Sequence, residues 1–61
     1  MAVITSKELS AISDLLTMEE NVCAKYRAYA AECRDAELTT LYERMAKTHE
    51  RHYDELYANL K

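Results

Sequence analysis

Three residues of this 61-residue chain combine a reactive side chain with a placement that asks for an explanation: Glu19, His49 and His52. The helical neighbours of Glu19, three, four and seven steps away, are Ile12, Leu15, Leu16, Val22, Cys23 and Tyr26. A carboxylate therefore interrupts an apolar stripe. An unpaired buried carboxylate is costly, so Glu19 is expected to be protonated, paired with a cation or bound to a metal. Glu20, about 100° further round the helix, falls at the edge of the stripe and is the weaker candidate. His49 and His52, spaced i, i+3, follow Tyr42 and Met45 and precede Leu56 on a second stripe, which turns both imidazoles toward a seam. A carboxylate from one helix and an i, i+3 ligand pair from its neighbour are the parts from which helical bundles build metal sites. The same residues also allow a plainer reading, in which Glu19 hydrogen-bonds His52 or a tyrosine hydroxyl and fixes helix register without a metal.

Two helices are needed to bring these groups together. Residues 1–5 read as a short extended lead-in, and Thr5 with Glu8 three residues later forms a capping box. Apolar residues then recur at Leu9, Ile12, Leu15, Leu16, Val22, Cys23, Tyr26, Tyr29, Ala30 and Cys33, predicting a first helix over about 6–34. Asp35 is a good N-cap, with Glu37 at the positive end of the following helix dipole. The second helix is predicted over about 36–59, with Leu38, Leu41, Tyr42, Met45, His49, His52, Tyr53, Leu56 and Leu60 on its inner face. Glu43 with Lys47, and Arg51 with Glu55, are expected as solvated pairs on its outer side. If the chain reverses near Asp35, residues equally far before and after it face each other. Glu19 then lies level with residues 50–52, at the depth of both histidines.

Composition supports this economy of parts. The chain has no glycine and no proline, whereas globular sequences average roughly 7% and about 5%. Glycine-rich phosphate loops, barrels and disordered tails are disfavoured, as are catalytic triads, which need a pocket and an oxyanion hole. A net charge of −3, spread over both halves, argues against nucleic acid as a partner. No apolar run approaches the ~20 residues of a membrane span, and the N-terminus has no signal-peptide pattern, so the chain is expected to be cytoplasmic in origin. Cys23 and Cys33 would stand about 15 Å apart along one helix, too far for a disulfide, and are read as small packing groups. The expected fold is all-α: an antiparallel two-helix hairpin. A monomer of this size would be marginal, so a homodimer closing a four-helix bundle is expected.

The pattern Leu15-Leu16-x-x-Glu19-x-x-x-Cys23-x-Lys25-Tyr26-x-x-Tyr29-Ala30, then Asp35-x-x-Leu38, then Ala46-x-x-His49-x-x-His52-Tyr53-x-x-Leu56 resembles the small spore coat proteins related to the Coat F domain, within the ferritin-like group. The resemblance spans about residues 8–60. It implies a ferritin-like half-bundle, a structural place in the spore coat, and other coat proteins as partners beside a second copy of the chain. It also implies a metal site in which Glu19 takes the first-helix carboxylate position and His49 and His52 take the place of a Glu-x-x-His pair. With His at 49 the usual bridging carboxylate is missing, and an imidazole-rich set suits Zn²⁺, Ni²⁺ or Cu²⁺ better than a pair of Fe ions. The five tyrosines read chiefly as core packing that leaves each hydroxyl a polar partner, with support of the ligands from behind by Tyr26 and Tyr53 as the sharper alternative. A small regulator of sporulation signalling is disfavoured: Ser6-Lys7-Glu8-Leu9-Ser10 lacks the Gln and Asp of the Ser-Gln-Glu-Leu-Asp motif of two-helix phosphatases.

Overall fold

The computed structural model describes residues 4–60; the first three residues of the expected lead-in lie outside that range. Two helices, α1 (Ser6–Glu32) and α2 (Ala36–Ala58), run antiparallel. Each ends slightly short of its predicted C-terminus. Thr5 is extended and its hydroxyl oxygen accepts from the Glu8 amide at 3.1 Å. The hydroxyl also donates to the Glu8 carboxylate at 2.9 Å, so the acid closes on the Thr5 side chain. At the other cap, Asp35 Oδ1 accepts from the amides of Glu37 and Leu38 at 2.9 and 3.1 Å.

The reversal between them needs no glycine. Cys33, with φ −73° and ψ 137°, leaves α1 extended, its amide donating to Tyr29 O. Asp35 enters α2 at φ −89° and ψ 121°. No described residue has a positive φ. Three residues with ordinary backbone geometry turn the chain, and the side chain of Asp35 satisfies amides that would otherwise be orphaned.

Burial is sparse and periodic. Glu19, Cys23 and Ala46 are the buried residues among those described. The seam is the series Ile12, Leu16, Glu19, Cys23, Tyr26, Ala30, Cys33 on one side and Thr39, Tyr42, Ala46, His49, Tyr53, Leu56, Leu60 on the other. Steps of three and four alternate throughout, the 3.5-residue repeat of helices packed knobs into holes. At mid-seam the small residues Cys23 and Ala46 let the helices approach until Cys23 Sγ donates to Ala46 O at 3.3 Å.

Several residues expected inside are exposed instead: Leu9, Leu15, Tyr29, Leu38 and Leu41. A single neighbouring helix covers about two positions in seven, whereas the apolar stripes of this sequence occupy three or four. Leu9 lies at a seam position whose opposite number falls past the end of α2. Leu15, Tyr29 and Leu38 each immediately precede a seam residue, as do Val22, Met45 and His52. In an antiparallel pair these six share one broad face, joined by Met18 and Leu41. The residues immediately following seam positions, Glu20, Arg27, Arg34, Glu43, Glu50 and Tyr57, occupy the opposite face. The hairpin is thus a plate, 47 by 17 by 10 Å between Cα atoms, with one apolar and one charged broad face.

Among the described residues, Glu43 and Lys47 form no ion pair, contrary to expectation, whereas Arg51 Nε reaches Glu55 at 3.7 Å. The charged face instead carries an interhelical bond, Arg27 to Glu50 at 2.6 Å. No described helix is long and apolar enough to cross a membrane.

Candidate metal centre

The hairpin brings together the three residues singled out by type and spacing. Glu19 enters from the middle of α1 with its side chain 8% exposed, and His49 Nδ1 donates to its Oε2 at 2.8 Å. His52 Nδ1 lies 3.4 Å from the same oxygen. The His49 side chain is 22% exposed and that of His52 43%. His49 is the seam residue, while His52 stands at the rim of the apolar face and leaves the cluster open there. Glu20 is exposed on the charged face, away from the cluster.

Local packing holds the imidazoles in place. The Tyr26 ring stacks on His49 with centroids 5.9 Å apart and an interplanar angle of 13°. Tyr26 also meets Tyr42 at 6.1 Å and Tyr29 at 6.2 Å, and His49 meets His52 edge to face at 5.4 Å. Aromatic contacts of this kind contribute roughly 0.5–1.5 kcal/mol each beyond burial, which limits rotation of the His49 ring. Tyr26 therefore packs its ring face against His49. Tyr53 is placed elsewhere: it stacks on Tyr57 at 6.4 Å and lines, with Glu20, Cys23, Arg27 and Glu50, a groove on the charged side.

One ligand atom from each of Glu19, His49 and His52 lies within 4.8 Å of the others. Ligand atoms about 2.0–2.1 Å from a tetrahedral ion stand roughly 3.4 Å apart. The Glu19–His52 separation of 3.4 Å already matches. The Glu19–His49 hydrogen bond, at 2.8 Å, would open by roughly half an ångström as a metal replaced its proton. A Glu/His₂ donor set fits Zn²⁺, Ni²⁺ or Cu²⁺. Without a metal the arrangement is also chemically complete, since no buried side-chain nitrogen or oxygen among the described residues lacks a partner. Both readings of Glu19 made from the sequence thus have a geometry, although the hydrogen bond is made with His49 and not with His52.

Cys23 and Cys33 are both free thiols. Burial pushes the Cys23 thiol above its ordinary pKa, with nearby Arg27 partly opposing and Glu19, Glu50 and Asp54 adding to the rise. A protonated, inward thiol is a packing group and hydrogen-bond donor, in keeping with its contact to Ala46 O.

Sequence reasoning missed two features. Ala46 is buried where an alanine gives no periodic signal, and the apolar excess gathers on the same face as His52. The second was recoverable by asking which apolar residues precede seam positions. Searches against protein-family models, curated proteins and solved structures give no match to this chain.

Proposed function

We propose that the protein is a structural hairpin that works as a homo-oligomer, two copies closing their apolar faces into a four-helix bundle. The observation that carries this reading is the apolar face itself: Leu15, Met18, Tyr29, Leu38 and Leu41 are exposed on one side of a hairpin that buries only three of its described residues. The broad side measures 47 by 17 Å. That outlines a rectangle of about 800 Å² per copy, of the same order as the accessible surface each partner buries in a standard-size interface. The resemblance to Coat F-related proteins supports a place in the spore coat, with other coat proteins as further partners. Sedimentation velocity at tens of micromolar tests the assembly: a dimer or larger species is expected, and a persistent monomer would sink the reading.

A second reading, favoured by the convergence of Glu19, His49 and His52, is that the bundle holds a divalent metal. It predicts metal retained through purification and lost in His52→Ala. Elemental analysis beside native mass spectrometry measures both; a metal-free protein whose melting temperature ignores added Zn²⁺, Ni²⁺ and Cu²⁺ would leave the cluster as a register-setting hydrogen bond.

A further inference from the structure

The cluster opens onto a groove in the apolar face lined by Leu15, Glu19, His52, Glu55, Leu56 and Asn59. Two of these six residues are carboxylates, and only Glu19 belongs to the three-residue group. Glu55 is spent on little: its carboxylate lies 3.7 Å from Arg51 Nε, with both side chains about two-thirds exposed. Such i, i+4 surface pairs contribute no more than about 0.5 kcal/mol. Glu55 follows His52 by three residues, so the two are neighbours on one side of α2. Helical side chains tilt toward the helix N-terminus, which aims that of Glu55 back along α2 toward His52.

We propose that Glu55 is the fourth ligand of the divalent-cation site, leaving Arg51 and turning into the groove to join Glu19, His49 and His52. The inference rests on the metal reading above and extends it. Charge is the first reason. Two carboxylates and two neutral imidazoles cancel a 2+ ion, whereas Glu19 and the histidines alone leave one positive charge uncompensated. The groove belongs to the face that a second copy would cover, and an uncompensated charge buried there opposes assembly. Coordination number is the second. Zn²⁺ in closed protein sites takes four ligands, and Glu55 lines the same groove as Glu19 and His52. The exchange exposes only Arg51, which is already in solvent.

Zn²⁺ titration against a chromophoric chelator tests the assignment on the full chain, comparing wild type with Glu55→Gln, Glu50→Gln and His52→Ala. Glu55 and Glu50 are both exposed, and circular dichroism confirms that the variants remain helical. Losing even an outer partner of a metal ligand typically weakens binding 10–100-fold. Glu55→Gln is therefore expected to weaken Zn²⁺ by at least about tenfold. Glu50→Gln, which removes the same charge from the opposite face, should match wild type. Equal binding by Glu55→Gln and wild type, with His52→Ala impaired, would overturn the role of Glu55 and leave the three-residue site standing. Equal loss in Glu55→Gln and Glu50→Gln would reduce Glu55 to a general charge effect and also overturn the assignment. A wild-type chain that binds no Zn²⁺ removes both the assignment and the metal reading beneath it.

Discussion

The two broad faces of the hairpin are built by the same helices from equivalent positions, yet they differ in almost every respect. On one, the residues beside the seam are Leu15, Val22, Tyr29, Leu38, Met45 and His52; on the other they are Glu20, Arg27, Arg34, Glu43, Glu50 and Tyr57. The charged face completes itself, with Arg27 and Glu50 bridging the helices in water. The apolar face completes nothing alone, and the Glu19–His49–His52 cluster opens on that side. A two-helix plate of this size is marginal by its seam alone, and in the proposed assembly the apolar face is the side a partner would cover. It also puts the cluster next to that partner.

Introducing charge on each face in turn should break the symmetry of outcome. Leu41→Glu on the apolar face removes about 1.5–3 kcal/mol of burial per copy, and both copies change in a symmetric dimer. Dissociation is then expected to strengthen by at least about a hundredfold, read by sedimentation velocity. Ala24→Glu, an exposed change on the charged side of α1, should leave the assembly state untouched. If both changes dissolve the assembly equally, the contrast between faces has no bearing on association.

The cluster offers the next largest effect. Glu19→Ala removes one partner of a buried pair and is expected to cost about 3 kcal/mol in thermal or urea unfolding, at the low end for buried pairs because His52 stays partly in water. Replacing both partners, Glu19→Leu with His49→Leu, restores volume without charge and is expected to match or exceed the wild-type metal-free stability, because apolar replacements of whole buried ion pairs are often neutral or stabilising. It should nevertheless abolish Zn²⁺ binding. A double variant as unstable as Glu19→Ala would show that the pair acts chiefly as structural glue.

How much of this was legible in the sequence follows from the range of each interaction. Thr5 and Asp35 were readable as caps because a cap bonds within three residues of itself. The depth shared by Glu19 and His49 was readable because a chain with one turn has one register. Which side His52 takes was not. A 3.6-residue helix pattern and a 3.5-residue seam drift apart by only about 20° per heptad, too little to separate a seam residue from its neighbour by counting. Nor does an apolar stripe say how many helices will cover it, which is why Leu15, Tyr29, Leu38 and Leu41 were expected inside. Ala46 left no mark because alanine is at home on either side of a helix. Tyr53 was an alternative support for the cluster, yet the seam carries it to the other groove.

Smaller effects sharpen the charged face. Arg27 and Glu50 are more than half exposed, so Arg27→Ala is expected to cost no more than about 1 kcal/mol, less still at high salt. Urea unfolding at two ionic strengths measures it; a salt-independent loss of several kcal/mol would mean the pair is structural. The same arginine bears on Cys23, whose thiol is pushed above its ordinary pKa chiefly by burial while Arg27 pulls it down. The folded state therefore holds the thiol proton more tightly than the unfolded state. The associated stability is complete below the unfolded pKa and is lost as pH rises above about 9 and through the folded value. Cys23→Ala should flatten that alkaline decline relative to wild type in thermal melts run from neutral to alkaline pH. Arg27→Ala, by removing the opposing charge, should leave the onset of the decline in place but deepen it and extend it to higher pH. Identical alkaline limbs in all three proteins would mean that the Cys23 proton contributes nothing measurable to folding and that the seam at Ala46 is held by packing alone.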